Sequence, residues 1–148
     1  MSKRLGGKMY DDKENERMTD YQIRPVRPAE YRAVEDLVRE AFWNVYRPGA
    51  IEHYLIHVLR EAEGYDPALD LVVEKDGALI GQSLCMRAEI LSDDGRVLPA
   101  LCLGPIAIAP AWQRQGLGKR LLDETIARAA ALGYGVICLE GNSAFYEK

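Results

Sequence analysis

The spacing of hydrophobic residues predicts that two short helices follow an opening strand. Residues 21–26 can form the strand, and Pro28 suits the first turn of the next helix. The apolar residues of this helix recur three and four positions apart, as a single buried face requires. They are Val34, Leu37, Val38, Ala41 and Phe42. The second helix is predicted over residues 50–60, and its packing face consists of Ile51, Tyr54, Leu55, Val58 and Leu59.

Three apolar runs then indicate antiparallel strands joined by tight turns. They cover residues 69–74, 78–91 and 97–109. The first turn contains Asp76-Gly77, a pair that tolerates the positive φ angles of two-residue hairpins. The second turn is the polar segment 92–96. Proline cannot donate to a strand ladder, so Gly104-Pro105 inside the third run predicts a bulge.

The last part of the chain predicts a helix, a strand and a further helix. These elements cover residues 116–132, with Gly133 as the stop, then 135–139 and 143–148. Strands and helices within 148 residues indicate one α/β (α+β) domain, residues 21–148, with a central sheet flanked by helices. Residues 1–20 are polar and mixed in charge, so we expect a flexible N-terminal tail.

Composition and charge narrow the class of protein. With 48% hydrophobic and 28% charged residues, the chain has the composition of a soluble globular domain. The net charge is −4, whereas nonspecific nucleic-acid binding needs clustered Lys and Arg to neutralise phosphates. We therefore expect no nucleic-acid partner. No signal peptide is apparent, and the longest apolar stretch, residues 97–112, is too short and too broken for a bilayer span. We therefore expect no membrane association and a cytoplasmic location.

Neither the cysteines nor the histidines have the spacing of metal ligands. Cys85, Cys102 and Cys138 lie in apolar, strand-like segments, so we predict buried thiols in a reducing compartment. His53 and His57 are four residues apart, but the sequence offers neither the glutamate of a metalloprotease helix nor an obvious third ligand. We expect no metal, and we place this histidine pair on a surface that faces either solvent or the groove of an acceptor substrate.

The segment QRQGLGK, residues 113–119, lies where a predicted strand meets a predicted helix. A helix N-terminus presents unpaired N–H groups and the positive end of the helix dipole, which together bind anions. Glycines at 116 and 118 let a phosphate approach the backbone, and Arg114 and Lys119 add positive charge. We interpret the loop as a pyrophosphate site.

Two well-known phosphate loops do not fit this segment. A Walker loop needs Ser or Thr where the chain has Arg120. A dinucleotide fingerprint needs a small residue where the chain has Leu121, and it follows an opening βαβ unit that the predicted hairpins do not form. A nucleotide-binding protein that uses the same loop is nevertheless kept as an alternative, and competition between ATP, NAD and coenzyme A would test it.

A third pattern fits. Residues 113–118 resemble the coenzyme A pyrophosphate loop of the GCN5-related N-acetyltransferase (GNAT) family, which has Arg or Gln, two residues, Gly, one residue, and Gly or Ala. Residues 103–110 resemble the family's fourth strand, and residues 142–146 resemble the start of its last conserved helix. The resemblance implies a GNAT-like acyl-CoA N-acyltransferase fold with a mixed, mostly antiparallel sheet. It also implies acetyl-CoA as co-substrate and no metal.

The resemblance further implies a set of functional residues. Tyr146 matches a family tyrosine that contacts the coenzyme and can protonate the leaving thiolate. Asn142 matches a residue that contacts the pantetheine arm, although it also suits a helix N-cap. The full set of predicted coenzyme contacts is Ile106, Ala107, Ile108, Gln113, Arg114, Gln115, Gly116, Leu117, Gly118, Lys119, Asn142 and Tyr146.

The implied activity is transfer of an acetyl group from acetyl-CoA to a primary amine of a small molecule, peptide or protein, by direct attack in a ternary complex. The alternative is a noncatalytic module that binds or senses coenzyme A. No general base is evident, because Glu89 and Glu140 lie at predicted strand ends, where acids are usually solvated. In the family the two early helices border the acceptor site, so the resemblance allows Trp43, Tyr46 and His53 to contact the acceptor, while core packing is favoured for the two aromatics.

The sequence departs from the family pattern at its end. Family members continue with two further strands, which this chain apparently lacks after Lys148. The predicted fifth strand would then be an unpaired edge, a known route to strand exchange. We therefore expect either a fragment or a homodimer in which a second copy covers this strand.

Overall fold

A five-stranded sheet forms the centre of the domain. The computed structural model describes residues 4–5, 8–9 and 21–139. The strands of the sheet are β3 (Gln22–Pro25), β4 (Tyr65–Lys75), β5 (Ala78–Leu91), β6 (Val97–Ile108) and β7 (Ile137–Cys138), in the order β3-β4-β5-β6-β7. All neighbours are antiparallel except β6 and β7, which are parallel. The predicted mixed, mostly antiparallel sheet is confirmed.

The N-terminal segment contributes a separate pair of short strands. β1 (Arg4–Leu5) and β2 (Lys8–Met9) pair with each other in antiparallel fashion and do not join the central sheet. The rest of residues 1–20 lies outside the described part of the chain. The predicted flexible tail, and the division of the chain at residue 20, remain predictions.

Helices cover both faces of the sheet. A 3-10 turn at Pro28–Glu30 leads into α1 (Tyr31–Phe42), which packs on one face together with α2 (Glu52–Leu59). The helix α3 (Leu117–Ala131) packs on the other face through Leu117, Leu121, Leu122 and Ala129. Among the described residues, no helix is both long and apolar enough to cross a bilayer.

The β4–β5 hairpin forms as predicted. Asp76 and Gly77 have φ angles of 51° and 80°, and Lys75 pairs directly with Ala78. Two positive φ angles match the right-handed twist of the flanking strands, which is why Asp-Gly is favoured at such turns.

The predicted packing face of α2 is wrong at four of its five positions, and only Leu59 packs against the core. Ile51, Tyr54, Leu55 and Val58 are exposed, by 43% to 65% of their side-chain surface, and the fully buried residue of this helix is Ile56. The helix has apolar residues on more than one side, so periodicity alone does not determine which side faces the sheet. The inward face is instead determined by Arg60, which lies one turn after Ile56.

The Arg60 side chain is buried because it pairs with a buried carboxylate. Asp70 on β4 is fully buried and accepts hydrogen bonds from Arg60 Nε (2.9 Å), Tyr65 Oη (2.7 Å) and Gln82 Nε2 (3.1 Å). The Arg60 guanidinium also lies 4.2 Å from the centre of the Tyr31 ring. A buried carboxylate without partners would be very costly, so these contacts favour the observed rotation of α2.

The cysteines divide into two kinds. Cys85 is buried as predicted, and its burial, with a smaller contribution from nearby Cys102, raises the pKa of its thiol to about 12. Cys102 and Cys138 are exposed, so the prediction that all three thiols are buried is wrong. These two cysteines occupy β6 and β7 at one end of the strand order.

Candidate functional site

The predicted bulge in β6 is present. Ser83 of β5 pairs with Ile106, and Cys85 pairs with Leu103, so β6 contains one more residue than β5 between these pairs. Gly104 and Pro105 lie within this irregular section. A Cβ atom on Gly104 would lie 3.3 Å from the Leu84 carbonyl oxygen, so the backbones approach closely here. The bulge follows from a proline without an N–H and a glycine without a side chain.

Beyond the bulge, the outer edge of β6 is open in the described part of the chain. β7 pairs only with Leu101 and Cys102. The Ala109 N–H donates inward to Ile80, at 2.8 Å. Main-chain groups alternate in direction along a strand, so those of Ile106 and Ile108 face the open edge. Ala107 has its main-chain groups toward β5 and its side chain in the core, where it is 2% exposed.

The loop after β6 is tied back to the end of that strand. A 3-10 turn at Pro110–Trp112 reverses the chain, and Gln113 Nε2 donates to the Ile108 carbonyl oxygen at 2.9 Å. Gln115 Nε2 makes a longer contact of 3.4 Å with the Ala111 carbonyl oxygen. The two glutamines therefore hold the loop in shape. Their side chains are exposed, so both remain within reach of a ligand.

Two left-handed residues shape the entry into α3. Arg114 and Gly116 have φ angles of 63° and 81°, and Gly116 is the N-cap residue of the helix. A side chain at position 116 would be strained in this conformation, which explains the glycine. No side chain among the described residues caps this helix, and its first turn has no acidic residue. The amides of residues 117–119 are thus available to an anion.

The side chains around this helix start are suited to a negative ligand. Arg114 and Lys119 are exposed there. Lys75 Nζ lies 4.9 Å from the Trp112 ring centre and adds a third positive charge near the loop. Lys75 was missed by sequence reasoning, since it comes from β4 and only the fold brings it here. Leu117 is 5% exposed and packs in the core, so it offers a ligand only its main chain.

Several predicted site residues lie elsewhere or outside the described residues. Asn142, Tyr146 and Glu140 are in the segment that the structure does not describe. Glu89 pairs with Pro99 and, with Glu63, Arg87 and Tyr134, lines a cavity of about 560 Å³. Pro105 lies six positions after Pro99 along β6, which corresponds to about 20 Å of extended strand. Glu89 therefore lies well away from the bulge along the sheet, and its role as a general base stays a prediction.

The aromatic residues between α1 and α2 lie on the surface of the domain. Trp43 and Tyr46 are 49% and 70% exposed, so core packing is wrong for both. His57 Nδ1 lies 2.6 Å from Glu35 Oε1, whereas His53 Nδ1 is buried and has no hydrogen-bond partner. Among the described residues, no group of three or more His, Cys, Asp or Glu side chains is placed to hold a metal ion.

Comparison with known proteins identifies the family of this site. The family model described as an acetyltransferase (GNAT) domain matches residues 68–148, more than half of the chain. The chain belongs to the GNAT family. The matched region begins within β4 and includes the bulged strand β6, the loop and α3. The family predicted from the loop sequence is thus confirmed.

Individual relatives agree with this assignment. The chain is 29% identical over 94 residues to the uncharacterized N-acetyltransferase YjhQ of Escherichia coli K12, covering 64% of this chain and 51% of the relative. The chain therefore spans about half the length of that curated relative.

Two solved GNAT structures superimpose well on the fold. One is a GNAT acetyltransferase from Brucella melitensis in complex with acetyl-CoA, with a TM-score of 0.76, 27% identity, and coverage of 86% of this chain and 79% of that one. The other is YhbS from Escherichia coli in complex with CoA, with a TM-score of 0.73, 26% identity, and coverage of 86% and 66%. The predicted GNAT-like fold is confirmed.

Proposed function

We propose that this GNAT protein transfers an acetyl group from acetyl-CoA to a primary amine by direct attack in a ternary complex. The main support is the combination of an uncapped helix N-terminus, entered through a left-handed glycine, with an open strand edge beside it. Solved GNAT relatives bind acetyl-CoA or CoA, which agrees with this proposal. Bound acetyl-CoA supplies the acetyl group as a thioester, which is activated toward attack by an amine.

The residues present fit such a ligand. The amides of residues 117–119 would hold the diphosphate, with Arg114 and Lys119 adding charge, because a helix start favours anions. The outward main-chain groups of Ile106 and the N–H of Ile108 would pair with the amide-bearing pantetheine arm, as a strand pairs with its neighbour, while the Ile108 carbonyl oxygen keeps its bond from Gln113. Gln113 and Gln115 would keep the loop in position through their bonds to the backbone.

The bulge would provide the electrostatic part of catalysis. Pro105 has no N–H, so the first outward donor after the bulge is the N–H of Ile106. A fixed main-chain donor aimed at the thioester oxygen would stabilise the negative charge that develops when the amine attacks, an effect worth about 3 kcal/mol in other enzymes. Tyr146 would then donate its phenolic proton to the leaving thiolate, and Asn142 would contact the pantetheine arm. The acceptor amine must arrive neutral, with its proton lost to water.

Coenzyme binding is tested by calorimetry on a pair of glycine variants. In Gly116→Ala, we expect acetyl-CoA affinity to fall at least about tenfold, since a methyl group enters the phosphate cradle and the left-handed entry is strained. Gly133→Ala is the matched control: its φ is +93°, nothing lies within 4 Å of the added Cβ, and it is at the other end of α3. It should lose comparable stability and keep its affinity. Equal affinity in all three proteins contradicts the proposed diphosphate site.

Catalysis is tested separately by thiol release from acetyl-CoA in the presence of small amines, lysine peptides and peptide N-termini. Tyr146→Phe should lower turnover and leave coenzyme affinity nearly intact, because only the proton donor is lost. Tight binding without turnover on any amine would indicate a coenzyme A binding module in place of an enzyme.

A further inference from the structure

Two exposed cysteines face each other across the β6–β7 pair. Cys102 and Cys138 are register partners in this parallel pair, and both are exposed. Directly paired residues project to the same side of a sheet. The preceding pair, Leu101 and Ile137, packs into the cluster under α3, so both thiols lie on the opposite side of the strands. The fold therefore places two accessible thiols side by side although 35 residues separate them in the chain.

The spacing of paired strands suits a disulfide. Neighbouring strands lie about 4.8 Å apart, and the Cα atoms of a disulfide are usually about 4.4–6.8 Å apart. The strand spacing therefore falls within the Cα range of a disulfide, and a bridge requires the two Cβ atoms to move slightly toward each other. The third cysteine, Cys85, differs from these two in accessibility and acidity. It is buried on the α3 side, and its burial raises the pKa of its thiol to about 12. A thiol that stays protonated is a poor nucleophile.

We propose that Cys102 and Cys138 form a redox-active dithiol site that low-molecular-weight disulfides convert to a cross-strand disulfide. One cysteine thiolate attacks a sulfur of the small disulfide, which gives a mixed disulfide and releases one small thiol. The second cysteine thiolate attacks the protein sulfur of that mixed disulfide, which forms the Cys102–Cys138 bond and releases a second small thiol. The protein loses two electrons, the small disulfide gains them, and the two thiol protons end on the two small thiols.

The position of the pair indicates what the bond would change. Cys102 is the last residue of β6 that pairs with β7 before the bulge at Gly104. A covalent bridge there would hold β7 to β6 at the base of the open edge. Exposed disulfides are also the readily reduced ones, so the site can return to the dithiol form. The proposed thiol chemistry is independent of acetyl transfer, since it needs neither acetyl-CoA nor an acceptor amine.

The experiment treats the reduced full-length chain with oxidised glutathione and follows intact mass, thiol content under denaturing conditions, and linked peptides. We expect loss of two of the three titratable thiols, a mass decrease of two hydrogens, and a linkage between the β6 and β7 peptides. The linkage should form to the same extent across a protein dilution series, and dithiothreitol should reverse it.

Single variants separate this site from other thiol chemistry. Cys102→Ser and Cys138→Ser should stop at the mixed disulfide with glutathione, because the second thiol is missing. Cys85→Ala should still form the bridge. The proposal is overturned if the wild-type protein remains reduced, stops at glutathione adducts, links only between chains, or forms a bridge that involves Cys85.

Discussion

Replacing Asp70 with asparagine removes the only carboxylate that the structure places against the Arg60 side chain among the described residues. Both side chains are almost completely buried, at 0% and 5% exposure, so the guanidinium would stay in the core as an uncompensated charge. Removing one partner of a buried ion pair typically costs about 3–5 kcal/mol. Tyr65 and Gln82 also lose their charged acceptor, so we expect a value in the upper part of this range.

The free energy of unfolding in urea, followed by circular dichroism, measures this effect. Domains of this size have a total stability of about 5–15 kcal/mol, so the variant should be folded but fragile. The control is the double variant Arg60→Met/Asp70→Asn, which removes the stranded charge. We expect it to be less destabilised than the sum of the two single variants by more than about 1 kcal/mol. A loss below about 1 kcal/mol for Asp70→Asn, or strictly additive effects, would refute the role given to this pair.

Two further predictions concern Glu30 and Gly64. Hydrogen bonds from Arg24 lower the pKa of Glu30 to about 2, so its contribution is complete above its ordinary pKa and is lost as the pH falls toward 2. Comparison with Glu30→Gln across this range, by thermal or urea unfolding, should show a loss that is larger by about 2 kcal/mol in the wild type than in the variant. In Gly64→Ala the new Cβ would lie 2.7 Å from the Arg87 carbonyl oxygen, so we expect a cost of about 1–3 kcal/mol. Gly135→Ala, with nothing within 4 Å, should be neutral in the same urea assay, and equal stability of both variants would contradict the close approach.

Local signals predicted much of this fold. Asp76-Gly77 fixed the first hairpin because few other pairs adopt two positive φ angles easily. Gly104-Pro105 predicted the bulge because one residue lacks an N–H and the other a side chain. Gly116 was predicted from its lack of a side chain beside a phosphate, and its φ of 81° gives a second, equally local reason for glycine at this position. In each case the cause lies within a few residues.

The errors come from interactions between distant parts of the chain. The orientation of α2 depends on Asp70, a residue of β4 whose burial no local pattern reveals. The exposure of Cys102 and Cys138 depends on how β6 and β7 pair at the end of the sheet, which brings together residues far apart in the chain. Lys75 reaches the loop through the Trp112 ring, a contact that only the completed sheet creates. Apolar periodicity identifies elements, but it does not identify their partners.

The open edge of β6 has a consequence for how this surface tolerates change. An edge presents N–H and C=O groups that are the same for every residue except proline. Recognition through such groups places few demands on side-chain identity, so replacements at Ile106 and Ile108 are limited mainly by packing against their neighbours in the core. Many different sequences could therefore keep the same edge, and proline is the residue we expect it to exclude.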